Sequence, residues 1–215
     1  MTESFIKEEV IVGRQGLEGV LRKPREPRGL VIFAHGSGSS RLSPRNNFVA
    51  GELSKRGFAS LLFDLLTEQE AQDRRNVFDI ALLGERVVEA LEWATREPAL
   101  HGLPIGLFGA STGGAAALVA AAARPALVGA VVSRGGRPDL AERALPLVKA
   151  PTLLIVGGLD DLVIQLNQSA LLMLQCAKRL DIVPGATHLF EEPGTLETVV
   201  SLAIDWFDRH LRNAG

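Results

Sequence analysis

Pro104-Ile105-Gly106-Leu107-Phe108-Gly109-Ala110-Ser111-Thr112-Gly113-Gly114 is the stretch on which the reading of this chain turns. The apolar run Pro104 to Phe108 reads as a strand, Gly109 to Gly113 as a tight turn, and the small residues from Gly114 to Ala123 as a helix. Strand, turn and helix in that order suit a nucleophile elbow. Such a turn forces Ser111 into a strained backbone conformation that lifts its hydroxyl clear, and only Gly at 109 and 113 tolerates the close approach of strand and helix. The helix amides would face incoming negative charge. Two Gly around a Ser are a weak sign by themselves: with 22 Gly in 215 residues, chance gives roughly one such motif in ten chains. The weight comes from the flanking elements and from the partners downstream.

Outward from this stretch, short apolar runs at Leu30 to Phe33, Phe58 to Phe63, Leu127 to Val132 and Thr152 to Val156 alternate with segments of helical period. That rhythm predicts an α/β fold with a doubly wound, mostly parallel sheet and helices on both faces. Val10 to Val12 and Leu17 to Leu21, around a Gly13 to Gly16 turn, predict an N-terminal antiparallel hairpin. Ser43 and Pro44 form a cap and first-turn pair, and Lys55, Arg56 and Gly57 close the same helix. Leu196, Val200, Ala203, Phe207 and Leu211 make the apolar stripe of a final helix. The polar segment Leu65 to Asn76 is the longest connection, read as a surface loop or a small cap over the site.

With 215 residues, 47% hydrophobic and 22% charged, the chain is expected to form one domain over residues 1–215. A net charge of -2 and the lack of a Lys/Arg block argue against nucleic acid or anionic lipid as a partner. Ala115 to Val132 is apolar but is broken by Arg124 and Pro125, so it reads as helix then strand rather than a membrane span. Met1 to Glu9 carries four charges and no apolar core of signal-peptide length, so a cytoplasmic location is expected. Cys176 is the only cysteine, which excludes an internal disulfide and a thiolate metal cluster; its spacing from Leu171 and Leu172 reads as buried helical filler. No cofactor or metal is expected. Gly36 and Gly38 lack the third Gly of a dinucleotide fingerprint, Ala115 stands where a P-loop needs Lys, and no His pair has helical metal-ligand spacing.

A serine hydroxyl is a weak nucleophile until a base takes its proton, and the base needs a group to orient it. Of four histidines, His101 and His210 lie among polar neighbours, and His35 ends an apolar strand, where its role is structural. His188 stands in the turn-rich loop Pro184 to His188, between the strand-like Leu180 to Val183 and the final helix. It is the candidate base. Asp160 and Asp161 follow the strand Thr152 to Val156 through Gly157 and Gly158. Asp160 is taken as the orienting acid, with Asp161 as a cap or exposed charge. The chain order is then Ser, Asp, His. The oxyanion hole is expected from the amides of Thr112, at the start of the elbow helix, and of Ser37, in the loop His35 to Ser40.

Together these segments resemble the α/β-hydrolase family and, within it, the small dienelactone-hydrolase-like group, over nearly the whole chain. The resemblance implies Ser111 as nucleophile, His188 as general base then acid, Asp160 as its orienter, and the Ser37 and Thr112 amides as oxyanion hole. The namesake enzymes have a cysteine at the elbow where this chain has Ser111, so their lactone substrate does not carry over, and the expectation is hydrolysis of small carboxylic esters, lactones or thioesters. Arg41 and Arg134 are candidate binders of a substrate carboxylate or phosphate. The alternatives are an acyltransferase using the same triad, or a receptor or interaction module on a hydrolase scaffold. A dehalogenase would carry Asp at the elbow. The natural substrate and the oligomeric state are not legible.

Overall fold

The hairpin forms around the Gly13 to Gly16 turn, pairing Val12 with Leu17, and its two strands reach further than the apolar residues alone suggest: β1 is Phe5–Val12 and β2 is Leu17–Pro24. Lys7, Glu8 and Glu9 lie exposed on the outermost strand, where charge discourages edge-to-edge pairing. The computed structural model describes residues 5–211. Residues 1–4 and 212–215, with the part of the Met1 to Glu9 and 1–215 domain readings that falls on them, lie outside the described residues.

Next in the chain come β3 (Leu30–Ala34), α1 (Pro44–Lys55), β4 (Ala59–Phe63), the short helices α2 (Glu68–Ala71) and α3 (Arg74–Val77), and α4 (Ile80–Arg96). They are followed by β5 (Ile105–Ala110), α5 (Thr112–Ala123), β6 (Val128–Arg134), β7 (Thr152–Gly157), α6 (Asp161–Met173), β8 (Lys178–Val183) and α7 (Thr195–His210). The eight strands form one sheet in the order β1-β2-β4-β3-β5-β6-β7-β8. β1 and β2 run antiparallel to their neighbours, and all pairings from β4 to β8 are parallel.

All residues of β3, β4, β5 and β7 are buried, as a parallel sheet covered on both sides requires. On one face α1 and α7 cover Phe33, Phe58, Phe108, Val132 and Ile155. On the other, α4, α5 and α6 cover Ile32, Leu61, Leu107, Val131 and Leu154. α1 is capped as expected: the Ser43 side chain accepts from the Asn46 amide, Pro44 fills the first turn, and the chain leaves through Gly57 at φ 84°. The stripe on α7 is buried at Val200, Ala203, Phe207 and Leu211.

The polar connection after β4 is ordered as α2 and α3. Thr67 and Glu70 form a reciprocal capping box, and the Glu70 carboxylate also meets the buried Arg86 guanidinium of α4 at 2.8 Å. These contacts, led by the Thr67 amide, hold Glu70 below its ordinary pKa. Three boundaries differ from expectation. β5 continues through Gly109 to Ala110, α5 begins at Thr112 rather than Gly114, and β6 continues beyond Val132 to Arg134, because ladder pairing through Ala110 with Arg134 outlasts the apolar run. Cys176 is not helical filler: α6 ends at Met173, where Leu174 turns extended, and Cys176 sits half-buried in the turn to β8 with Sγ 3.7 Å from Thr152 Oγ1. Among the described residues no helix is long and apolar enough to cross a membrane.

Candidate active site

Ser111 has φ 51° and ψ −122°, one of two non-glycine residues at positive φ among the described residues. Such a conformation costs about 1–3 kcal/mol and persists only where the surroundings over-determine it. Here three backbone hydrogen bonds do so: the Ser111 amide donates to the Arg134 carbonyl, and its own carbonyl accepts from Gly114 and Arg137. The flanking glycines are required by space. A Cβ on Gly113 would lie 2.1 Å from the Ala34 carbonyl oxygen, and one on Gly109 2.5 Å from that of Gly113.

The candidates Asp160 and His188 meet. Asp160 ends the loop after β7, and its Oδ2 lies 2.6 Å from His188 Nδ1. That bond fixes Nδ1 as the donor and leaves Nε2 for a proton on the other side of the ring. Asp161 instead opens α6, in the first turn where a negative charge suits the helix end. The His188 loop is braced behind: the Glu192 carboxylate accepts from the Thr187 amide at 3.0 Å and from the Thr187 hydroxyl at 2.6 Å. In front, the imidazole packs on Gly135, where a Cβ would approach the ring to 3.5 Å. Gly135 belongs to the same Arg134 to Arg137 segment that grips Ser111 through both of its backbone groups. Ser111, His188 and Asp160 therefore share the carboxyl edge of the sheet at β5, β6 and β7, although no hydrogen bond joins the Ser111 hydroxyl to His188. Residues Gly135 to Arg137 were not singled out from sequence; their only sign is the Gly135-Gly136 pair at a strand end.

The loop His35 to Ser40 lies against the elbow, so closely that a Cβ on Gly36 would lie 3.0 Å from Ser111 Cβ. The Ser37 amide donates to Thr112 Oγ1 at 2.9 Å. The Thr112 amide, at the first helical position, has no intrahelical acceptor. His35 is structural, and in a definite way: Nδ1 donates to the Gly36 carbonyl at 2.9 Å while Nε2 accepts from the Leu65 amide at 3.0 Å. That pair of bonds needs a neutral ring, and burial lowers its pKa against the opposing pull of the Gly36 carbonyl and of Asp64.

Beside this loop lies a cavity of about 530 Å³. Its walls include Leu17, Leu65, Val77 and Leu83 from the apolar side, with Glu18 and Asp64 from the polar side. The segment Leu65 to Ala71 thus forms part of its wall, the cap rather than the loop of the two sequence readings. Arg41 also lines it, but its guanidinium is ion-paired with both Asp64 and Glu18. Arg134 is elsewhere. As the last residue of β6 it points to the α1 and α7 face, 7% exposed, with its guanidinium 5.9 Å from the Phe190 ring. Nε and Nη1 have no hydrogen-bond partner. Burial, with Arg45 nearby as a second cause, lowers its pKa to about 10. Arg45 itself, at the start of α1, pairs with Glu191 at 3.0 Å. Among the described residues no group of three or more His, Cys, Asp or Glu is placed to hold a metal.

The model of the dienelactone hydrolase family matches residues 17–209. The chain belongs to that family. A dienelactone hydrolase from Anabaena variabilis, a solved structure, is 57% identical, with a TM-score of 0.93 over 97% of this chain and 98% of its own. A relative from Mycobacterium tuberculosis provisionally named a phosphoribosyl transferase is 56% identical over 207 residues, 96% of this chain. This chain spans about half of that relative, 47% of its length. The esterase Est1E from Butyrivibrio proteoclasticus has the same fold, with a TM-score of 0.79 at 15% identity. Membership of the dienelactone hydrolase family makes this a chain of a hydrolase family with the α/β-hydrolase architecture, as the resemblance implied.

Proposed function

We propose that this chain is a serine hydrolase that cleaves carboxylic esters of small substrates, lactones and thioesters included, through an acyl-enzyme on Ser111. The observation that carries the reading is the 2.6 Å Asp160 to His188 bond, formed beside the segment that holds Ser111 strained. Oγ of Ser111 attacks the carbonyl carbon while His188 Nε2 takes its proton, and Asp160 stabilises the imidazolium. The negative oxygen is received at the start of α5, where the Thr112 amide points and the Ser37 segment adjoins. Collapse expels the alkoxide, which leaves with the proton held by His188. Water, deprotonated by the same imidazole, then attacks the acyl-serine, releasing the acid and restoring the hydroxyl. Nucleophile and proton carrier both come from the chain, so these steps call on no cofactor.

Arg134 favours substrates with an acidic group, because its unpartnered donors lie at the strand end next to the elbow. Arg41, its charge already met by two carboxylates, shapes the cavity wall on the polar side. The transferase name attaches to proteins about twice as long as the part matched, and we assign it no role in this chain. The test is labelling with a fluorophosphonate and turnover of a panel of p-nitrophenyl esters differing in chain length and charge. Wild type is expected to label and turn over, and Ser111→Ala to do neither, with a loss of about 10⁶-fold in kcat. Folded wild type that neither labels nor hydrolyses any ester would favour the receptor reading.

A further inference from the structure

We infer that the side-chain hydroxyl of Thr112 is itself an oxyanion donor, through which the Ser37 amide acts indirectly. The inference rests on the serine-hydrolase reading and refines its oxyanion hole. A direct role for the Ser37 amide meets an obstacle: its N–H already donates to Thr112 Oγ1 at 2.9 Å. A hydroxyl that accepts one hydrogen bond still has its own proton to give. No acceptor for the Thr112 hydroxyl proton occurs among the described residues, although the residue is only 3% exposed. Thr112 also lines the cavity beside the elbow, so that proton has the cavity mouth to turn to.

The backbone amide of Thr112 stands at the first helical position directly after the proposed nucleophile, without an intrahelical acceptor. One residue thus presents an amide and a hydroxyl together, and an oxygen developing charge next to Ser111 meets both. The Ser37 N–H polarises the hydroxyl from behind, strengthening its donation. The arrangement also fixes the donor in advance, since the hydroxyl oxygen is tied to a loop that His35 in turn ties to Gly36 and Leu65. Pre-set donors of this kind are those worth most to a tetrahedral intermediate.

Thr112→Val keeps the shape and removes the donor; Thr112→Ser keeps the donor. With p-nitrophenyl butyrate as probe, Thr112→Val should lose about 10²–10³-fold in kcat, with KM little changed, and Thr112→Ser should lose less than tenfold. Binding of butylboronic acid, whose tetrahedral adduct on a serine places an oxygen in the hole, should weaken in Thr112→Val in parallel with kcat. A Thr112→Val loss below tenfold overturns the inference, since the freed Ser37 amide then suffices. A larger loss with unchanged boronate affinity also overturns it, because the side chain would then act only on packing. Should valine prevent folding, Thr112→Ala, smaller than the native residue, carries the same expectations. Turnover that survives in Ser111→Ala would instead remove the serine-hydrolase reading, whereas a dead Ser111→Ala beside a fully active Thr112→Val would remove only the hydroxyl's role.

Discussion

Replacing Arg134 with Met should make the protein more stable. The guanidinium is buried at the end of β6 with Nε and Nη1 unpartnered, and its pKa is lowered from the ordinary guanidinium range to about 10. At about 1.4 kcal/mol per tenfold change in proton affinity, the charged form is about 3 kcal/mol less favourable in the folded chain than in the unfolded one. The side chain is almost wholly out of water, so solvent screening removes little of this. Because the folded pKa is the lower one, the unfolded chain holds the proton more tightly. The penalty is therefore complete below about pH 10 and is relieved only as pH climbs from there towards the ordinary guanidinium range. Met keeps the apolar stem but gives up the contact with the Phe190 ring, worth about 1 kcal/mol. The net gain is about 2 kcal/mol, or roughly 4–8 °C in Tm for a chain of this size. Thermal unfolding at pH 7, followed by circular dichroism, measures it. A Tm that falls by several degrees would refute the reasoning, since the guanidinium would then be satisfied in solution. The same experiment tests function: an acidic ester or a phosphate monoester at millimolar concentration should raise the Tm of wild type and leave Arg134→Met unmoved. A buried charge retained at a cost to folding is expected where activity uses it.

Asp160→Asn should leave the fold intact and lower kcat by about 10⁴-fold, because an amide no longer selects the tautomer with the proton on Nδ1; steady-state ester hydrolysis checks it. Gly113→Ala should fail to give native-like protein or lose at least about 3 kcal/mol in urea unfolding, since its Cβ would lie 2.1 Å from the Ala34 carbonyl oxygen. His35 is neutral and its pKa is lowered by burial, so wild type should lose stability as pH falls from about 6.5 towards the folded value. His35→Gln should show a flatter profile over that window in urea titrations at stepped pH. Glu70→Gln should weaken the capping box and the contact with Arg86, speeding proteolysis within residues 65–77 by a few-fold without a comparable change in global Tm.

The fold was legible because its signals are local and redundant. Parallel strands buried on both faces read as unbroken apolar runs, so Leu30 to Phe33 and Thr152 to Val156 name themselves, and the order of strands and helices leaves few topologies. Ser111, Asp160 and His188 could be named as candidates for a similar reason: each lies just past a strand end, and in an open parallel sheet those ends converge on one edge. The choice of Asp160 over Asp161 is decided by the turn at Gly157 and Gly158, which brings the Asp160 carboxylate to the 188 loop while Asp161 opens α6. Strand limits were lost where polarity and pairing disagree: Arg134 reads as a loop residue by its charge, yet the ladder partner Ala110 draws it into β6.

What sequence could not deliver is contact between loops of distant origin. Nothing in the identity of Ser37 or Thr112 says that the amide of one would be taken by the hydroxyl of the other across 75 positions. Nor does Arg134 announce that its neighbours leave it unanswered, since Glu191, the nearby carboxylate, is taken by Arg45 instead. Both features arise where the fold brings rigid elements together and leaves a polar group over. An unpaired group of that kind is what a globular interior otherwise eliminates. Buried side-chain atoms without a partner also occur elsewhere, at Ser60 and Arg86 for example, but those of Arg134 lie at the strand end beside the strained serine. Under the proposed hydrolysis, which develops negative oxygen, donors left over there would meet the negative charge of a substrate.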